Sequence, residues 1–170
     1  MRLNVPTRLR WSDLDPYGHV NNASMLRLLE EARIEAFWST EATTRETPDG
    51  AVTTYRGNSA MAVLDGRPDA GTQSIIARQE IEYLVSIPYL RDPLDIQLWI
   101  GRLAGASLEV CYEVWSPLGT DAAARVLFTR AVTTLVLVDA TSGRPRRISA
   151  AERDAWAPYV EQPLTFSRRR

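Results

Sequence analysis

Residues 10–33 read RWSDLDPYGHVNNASMLRLLEEAR, and this stretch says more about the fold than any other part of the chain. Asp13 and Asp15 lie two residues apart, and Asp15 begins a turn that contains Pro16 and Gly18. The turn leads to Asn21 and Asn22, whose side chains are good helix caps. A helix therefore begins directly after the turn. The pattern predicts a carboxylate beside unpaired N–H groups, an arrangement that suits an anion or a developing oxyanion.

The predicted helix runs from Asn22 to about Trp38 and has an apolar stripe and a charged side. Ile34 and Trp38 fall near the charged side, so we expect a second cover over the C-terminal half of the helix. The residues of the apolar stripe are Met25, Leu28, Leu29, Ala32 and Ala36.

Alternating apolar and polar residues predict strands on both sides of this helix. One strand comes before it and four consecutive antiparallel strands, joined by tight turns, come after it, which predicts a single α+β domain over residues 1–170 with a sheet wrapped on one helix. A short closing segment at 149–157 has helical periodicity. The predicted strands are 2–11, with Pro6 at an edge or bulge, and then 73–87, 94–103, 107–115 and 123–139.

Two segments lack such patterns. Residues 40–72 predict a long loop with at most one short element. Because Met61, Val63 and Leu64 should not be left in water, we expect this loop to form a lid over the end of the helix and over one end of a pocket. Residues 160–170, which end in three arginines, predict a flexible, solvated tail.

Composition limits the partners and the compartment. With 170 residues and 45% hydrophobic content the chain can bury one core, and its net charge of −1 argues against nucleic acid or an anionic membrane as a partner. Cys111 is the single cysteine, so no intrachain disulfide can form. The sequence shows no secretory signal and no apolar run of the roughly 20 residues that span a bilayer. These features predict a cytoplasmic protein.

The residue types that are missing narrow the chemistry further. All 20 basic residues are arginine, which excludes Schiff-base lysines and a P-loop lysine. One histidine and one cysteine cannot make a Cys/His zinc site, although carboxylates could hold a hard cation. The sequence has no G-x-S-x-G elbow. Carboxylates, backbone dipoles and arginines remain, and we expect neither a metal nor a cofactor.

The 10–33 stretch closely resembles the hotdog-fold acyl-CoA thioesterases of the 4-hydroxybenzoyl-CoA thioesterase type. Their signature is a strand ending in Asp-x-Asp, then Gly-His-Val-Asn-Asn, then a helix with Glu-x-Ala-Arg. The resemblance covers residues 3–35 by motif and 73–139 by strand order, and it implies an antiparallel sheet wrapped around one central helix. The matching residues are Asp13, Asp15, Gly18, His19, Val20, Asn21, Asn22, Glu30, Ala32 and Arg33.

The resemblance also implies roles. Asp15 takes the position of the catalytic carboxylate, acting as general base or as nucleophile, and the backbone N–H of Asn22 takes that of the donor to the thioester carbonyl. His19 occupies a position that varies in the family, so we expect it to orient the turn. For Asp13 we expect a structural hydrogen bond or an ion pair with Arg10 or Arg33.

The expected substrate is an acyl-CoA, and no cofactor is implied. Relatives usually carry tyrosine at the positions of Met25 and Leu28, so a more apolar acyl pocket is expected here. The residues expected to contact the acyl part are Gly18, Val20, Met25 and Leu28, and those expected to hold the CoA phosphates are Arg78, Arg91 or Arg102.

Two further possibilities remain open for this sequence. An acyl carrier protein could replace CoA as the carrier, or the chain could be a non-catalytic acyl-CoA sensor, although Asp15 argues against a pure binder. A hotdog dehydratase fits less well, because its Asp and His lie in a different local order. Because hotdog proteins commonly build their site at a subunit interface, we expect a homodimer or a homotetramer.

Overall fold

A computed structural model describes residues 1–39, 42–47, 50–55, 60–65 and 69–166. It has one long helix, α1, packed on a sheet of long strands, and a short helix, α2, near the end of the chain. The elements are β1 (Leu3–Thr7), α1 (Asn22–Phe37), β2 (Trp38–Ser39), β3 (Ala42–Thr47), β4 (Gly50–Tyr55), β5 (Leu64–Asp65), β6 (Thr72–Tyr83), β7 (Leu94–Leu103), β8 (Ser107–Trp115), β9 (Leu127–Asp139) and α2 (Ala150–Trp156).

The main sheet has five strands in the order β1-β7-β8-β9-β6, and every neighbouring pair is antiparallel. This confirms the predicted α+β class, an antiparallel sheet wrapped around one helix. Within this sheet β6 pairs with β9 and not with β7, the strand that follows it in the chain. Alternation identifies a strand and its buried face, but it carries no information about which strand lies beside it.

Most predicted boundaries agree with the structure. The strands β7 and β8 and the helix α2 lie where their patterns place them. β1 ends earlier than predicted, at Thr7, because Trp11–Asp13 form a 3₁₀ turn before the site. β9 begins later than predicted, at Leu127, since Ala122–Ala124 form another 3₁₀ turn.

Helix α1 is capped by Asn21, whose Oδ1 accepts a hydrogen bond of 2.8 Å from Ala23 N. Its 16 residues span roughly 24 Å. The predicted apolar stripe is buried completely, against inner-face residues of the sheet such as Leu98 and Val110. Arg33 is also buried, and its Nη1 donates to Tyr112 Oη at 3.2 Å. The stripe thus fixes which face of the helix meets the sheet.

The C-terminal end of α1 has its own cover, as expected. Phe37 packs edge-to-face on Trp156 of α2, with ring centroids 5.7 Å apart. Trp156 Nε1 donates to the carbonyl of Met61 at 3.0 Å, and Met61 and Leu64 are buried in the core. Ile34, however, remains 41% exposed. The prediction that this residue is also covered is therefore wrong.

The prediction of a long loop over residues 40–72 is wrong. β3 and β4 pair as an antiparallel hairpin, with Ala42 opposite Tyr55 and Thr47 opposite Gly50. β2 and β5 form a further, parallel pair. The sequence of β3 and β4 is rich in threonine and lacks a clear alternation of apolar and polar residues. The periodicity therefore did not predict these strands, although threonine favours β structure. Of the three apolar residues expected to be covered, Val63 is 40% exposed.

The segment after α2 does not begin as a free tail. Glu161 N donates to Ile100 O at 3.0 Å, and Trp99 Nε1 donates to Gln162 O at 2.9 Å. Residue 160 is therefore too early a start for the predicted flexible tail, because these bonds hold the segment on β7. The three terminal arginines lie outside the described residues. Among the helices that the structure describes, none is long and apolar enough to cross a bilayer.

Gly101 is the contact point between this segment and the sheet. It sits at a bulge in β7, and a Cβ added there would lie 2.7 Å from Cys111 Sγ and 3.1 Å from Pro163 Cα. A side chain at this position must displace either the next strand or the docked segment. Glycine is therefore favoured at position 101 because neighbouring atoms leave little room for a Cβ, and not because of its backbone φ angle.

We expect Gly101→Ala to lower the free energy of unfolding by about 1–3 kcal/mol, as overpacking does elsewhere. Urea denaturation would measure the change. Gly105→Ala is the matched control, since a Cβ there meets no atom within 4 Å. Equal stability of the two variants would contradict the packing described here.

Candidate active site

Asp15 closes the turn before α1 with both its backbone and its side chain. Its N–H donates to His19 O at 2.8 Å, and its carbonyl accepts from Gly18 N at 3.0 Å. Its Oδ1 accepts from Tyr17 N at 2.9 Å and from His19 N at 3.1 Å. Its Oδ2 accepts no hydrogen bond from any residue that the structure describes. One carboxylate oxygen is thus held in place and the other remains available for chemistry.

Gly18 permits this turn. Its φ is +78°, a left-handed conformation that side chains rarely adopt, and no atom lies within 4 Å of where a Cβ would stand. The backbone conformation, and not space, therefore requires glycine here. Gly18 was predicted to contact substrate, but the structure gives it the role of closing the turn around Asp15.

Asp13 stabilises the turn through contacts with Arg10 before it and Asn21 after it. Its carboxylate is buried and accepts from Arg10 N at 2.7 Å and from Arg10 Nη2 at 3.1 Å, while its carbonyl accepts from Asn21 N at 2.8 Å. This is the expected structural ion pair, formed with Arg10 and not with Arg33. The bond to Asp13 raises the pKa of the Arg10 guanidinium. Asp13 therefore joins the preceding strand to the cap of α1.

The start of α1 offers an unpaired donor. Asn21 uses its side chain to cap Ala23 N, and its carbonyl accepts from Met25 N at 2.9 Å. The N–H of Asn22 donates to no acceptor within the described ranges. It lies at the positive end of the helix dipole, so it can donate to a carbonyl oxygen that gains negative charge.

A second segment, residues 84–89, lies against the turn. Ile87 O accepts from Val20 N at 2.9 Å, and the rings of Tyr89 and Trp11 stack with centroids 4.7 Å apart. Leu84 N and Val85 N both donate to Phe128 O, at 2.9 and 3.1 Å. These contacts fasten the end of β6 and the beginning of β9 to the turn and leave a cavity between them.

This cavity has a volume of about 200 Å³. Since a water molecule occupies roughly 30 Å³ of liquid, it admits a reacting group and a few waters but not a whole acyl-CoA. It is lined by Asp15, His19 and Val20 from the turn and its end, Asn22 and Met25 from the start of α1, Tyr83 from the end of β6, Leu84 to Ile87 from the segment after β6, and Thr129 from β9.

One wall of the cavity, formed by residues 83–87 and Thr129, was not predicted from the sequence. Tyr83 Oη donates to Asn22 O at 3.1 Å and so ties β6 to the start of α1, and burial raises the pKa of the Tyr83 hydroxyl. These residues lie more than sixty positions from the turn. Their pattern marks them as strand ends only, so no local signal indicates that they meet Asp15.

Several predicted residues lie elsewhere. Leu28 is in the core and does not line the cavity. Arg78 lies on the face of the sheet opposite α1 and pairs with Glu80 at 2.6 Å. Arg102 lies opposite Glu109, toward the far end of β7. The structure of one chain therefore does not bring these arginines to Asp15. Arg91 is exposed and likewise does not line the cavity.

The imidazole of His19 is half-buried at the cavity and forms no hydrogen bond with the described residues. Its contacts with Asp15 run through the main chain. In the described parts of the chain no three or more His, Cys, Asp or Glu side chains are grouped to hold a metal ion. The site offers a carboxylate and a helix N-terminus that line the same cavity.

A larger cavity, of about 670 Å³, lies around Pro6, Leu94 and Phe128. Its buried carboxylate, Asp95, already accepts from Arg125 at 2.6 Å and from Asn4 at 2.8 Å. This carboxylate is neutralised, so we assign the site to the smaller cavity.

Comparison with solved structures shows the same fold in other proteins. A predicted thioesterase from Bacillus stearothermophilus matches with a TM-score of 0.68 and 20% identity, covering 96% of this chain and 100% of that one. A 1,4-dihydroxy-2-naphthoyl-CoA thioesterase from Synechocystis matches with a TM-score of 0.65 and 14% identity, covering 92% and 96%. A thioesterase from Thermus thermophilus, in complex with coenzyme A and Zn, matches with a TM-score of 0.58 and 26% identity, covering 96% of each chain.

No curated protein matches the sequence. The model of the thioesterase-like superfamily matches residues 9–156, which include the Asp15 turn, all of α1 and the whole five-stranded sheet apart from β1. Because this match extends over most of the chain, the protein belongs to the thioesterase-like superfamily.

Proposed function

We propose that the protein is an acyl-CoA thioesterase of the 4-hydroxybenzoyl-CoA thioesterase type, which hydrolyses an acyl-CoA to a carboxylic acid and CoA. One observation carries the proposal: the unpaired Oδ2 of Asp15 and the unpaired N–H of Asn22 belong to residues that line the same cavity. A thioester carbonyl needs a group that attacks or activates water and a donor that stabilises its oxyanion. The cavity supplies both.

In the proposed mechanism the thioester carbonyl oxygen accepts a hydrogen bond from Asn22 N–H. The dipole of α1 then stabilises the negative charge that develops on this oxygen. Asp15 Oδ2 either removes a proton from an attacking water or attacks the carbonyl carbon itself, giving a mixed anhydride that water hydrolyses. In both routes the C–S bond breaks and CoA leaves as the thiolate.

The apolar part of the cavity supports an acyl group as substrate. Val20, Met25 and Ile87 are buried residues of its lining, and Leu84 and Val85 add exposed hydrocarbon. These side chains would contact the acyl group of the substrate.

The choice of CoA as the carrier rests on related structures. The Thermus thermophilus thioesterase was crystallised with coenzyme A, and the Synechocystis neighbour is named for a CoA thioester. The alternative carrier, an acyl carrier protein, would need a docking surface for a folded protein. Comparing thiol release from acyl-CoA and from the same acyl group on a carrier protein distinguishes the two.

We also propose that the protein is a homodimer or a homotetramer, with the β6 edge at the interface. β6 is the last strand of the sheet, and one row of its backbone groups pairs with no other strand that the structure describes. It also exposes apolar side chains, including Ile75 at 49% and Ile76 at 40%. The same strand leads into the residues that line the Asp15 cavity, so a subunit paired there would extend a cavity too small for the whole substrate.

Asp15→Asn should reduce kcat/KM for acyl-CoA by more than tenfold, a loss above about 1.4 kcal/mol. Asparagine retains an oxygen that accepts from Tyr17 and His19, but it is neither a base nor a nucleophile. Free thiol release measures the rate. Asp121→Asn is the control, because Asp121 also accepts a backbone N–H, that of Ala123, but lies away from the cavity. An Asp15→Asn enzyme that retains more than about a tenth of the wild-type kcat/KM would contradict the catalytic role of Asp15.

His19→Ala should reduce kcat/KM less than Asp15→Asn does. The substitution retains the backbone N–H that holds Asp15 and removes an imidazole that forms no hydrogen bond in the described structure. The same thiol assay ranks the two variants. If the alanine variant is as inactive as the asparagine variant, His19 and Asp15 act as a catalytic pair and the proposed roles must change.

Light scattering at micromolar concentration should give at least twice the chain mass of 19.1 kDa. Ile75→Lys should shift the protein toward monomer, because it places a charge in the proposed apolar interface. Leu118→Lys is the control, since Leu118 is 57% exposed on a loop away from this edge. A wild-type monomer would contradict the proposed assembly.

A further inference from the structure

Thr129 is a buried hydroxyl residue without a partner at the candidate site. Its side chain is 0% exposed, and its Oγ1 forms no hydrogen bond with any residue that the structure describes. Buried polar groups are normally paired, so each exception calls for an explanation. Thr129 also lines the cavity that contains Asp15.

A comparison residue, Thr133, shows that a buried threonine on β9 is not always left without a hydrogen bond. Thr133 lies on the same face of β9 and is equally buried, but its Oγ1 accepts a hydrogen bond of 3.3 Å from Gln79 Nε2. Thr133, which does not line the cavity, therefore has a hydrogen-bond partner for its buried hydroxyl. Thr129, which lines the cavity, has none among the described residues.

The position of Thr129 follows from the register of the sheet. Thr129 lies opposite Tyr83 of β6 and Val114 of β8. Tyr83 in turn reaches the carbonyl of Asn22 at the start of α1. Thr129 thus forms the sheet wall of the cavity, while Asp15 and Asn22 come from the turn and the helix.

We propose that the Thr129 hydroxyl positions the hydrolytic water, an inference that rests on the proposed thioesterase function. A water held by Asp15 alone is free to rotate, whereas a second hydrogen bond to Thr129 Oγ1 aims its lone pair at the carbonyl carbon. As the water O–C bond forms, the proton passes to the Asp15 carboxylate and the C–S bond releases the CoA thiolate. In the anhydride route a water held by Thr129 attacks the acyl carbonyl, the bond between that carbon and Asp15 Oδ2 breaks, and the water proton passes to the departing Asp15 carboxylate.

Three variants separate this role from packing. Thr129→Val retains the shape and removes the hydroxyl, Thr129→Ser retains the hydroxyl, and Thr133→Val removes the paired hydroxyl as a control. We expect Thr129→Val to lower kcat by about tenfold or more, with KM little changed and Tm unchanged or raised, since no bond in the described structure is lost. Thr129→Ser should restore most of kcat. Thr133→Val should lower Tm and leave kcat near the wild-type value.

Each contrary result has a distinct meaning. A Thr129→Val enzyme with wild-type kcat, measured beside an inactive Asp15→Asn, would overturn the role of Thr129 and leave the proposed function intact. An equal loss in Thr129→Ser would assign the effect to packing and also overturn the role. A wild-type protein that releases no thiol from any acyl-CoA would overturn the proposed function itself. If Thr129→Val does not fold, Thr129→Ala provides the same comparison against Thr129→Ser.

Discussion

The start of helix α1 must be anchored while one of its N–H groups stays unpaired, and the rest of the site depends on this constraint. Two aspartates meet it in different ways. Asp13 is fully engaged, since its carboxylate and carbonyl bind Arg10 and the helix cap. Asp15 uses one oxygen for the turn and retains the other. A fully bonded carboxylate therefore supports the turn that carries a partly free one, and the N–H of Asn22, a residue of the same cavity, has no acceptor among the described residues.

The two ends of α1 serve different purposes. Along its length an apolar stripe is buried against the sheet, which supplies most of the stabilisation that a helix of this kind gains. At the C-terminal end Trp156 and Met61 close the core around Phe37. The N-terminal end remains open to a small polar cavity. The C-terminal end of α1 is thus closed by packing, and the candidate site lies at the N-terminal end.

The edge strand β6 connects the site to the proposed assembly. Its last residue, Tyr83, binds the start of α1, and the residues after it wall the cavity. Its outer edge pairs with no strand in the described part of the chain, and the side chains of Ile75 and Ile76 are exposed. A partner subunit on this edge would stabilise the strand and thereby the cavity wall. Subunit assembly and catalysis would then be physically coupled, because the same strand serves both.

The sequence by itself determined the features that short-range chemistry controls. The Asp15–Gly18 turn, the Asn21 cap and the apolar stripe of α1 follow from residue types a few positions apart, and so does the α+β class. Only the tertiary structure decided that β6 pairs with β9, which brings Thr129 to Asp15 and leaves Arg78 on the opposite face. Strand neighbours are selected by packing between distant segments, and periodicity along one strand carries no record of that selection.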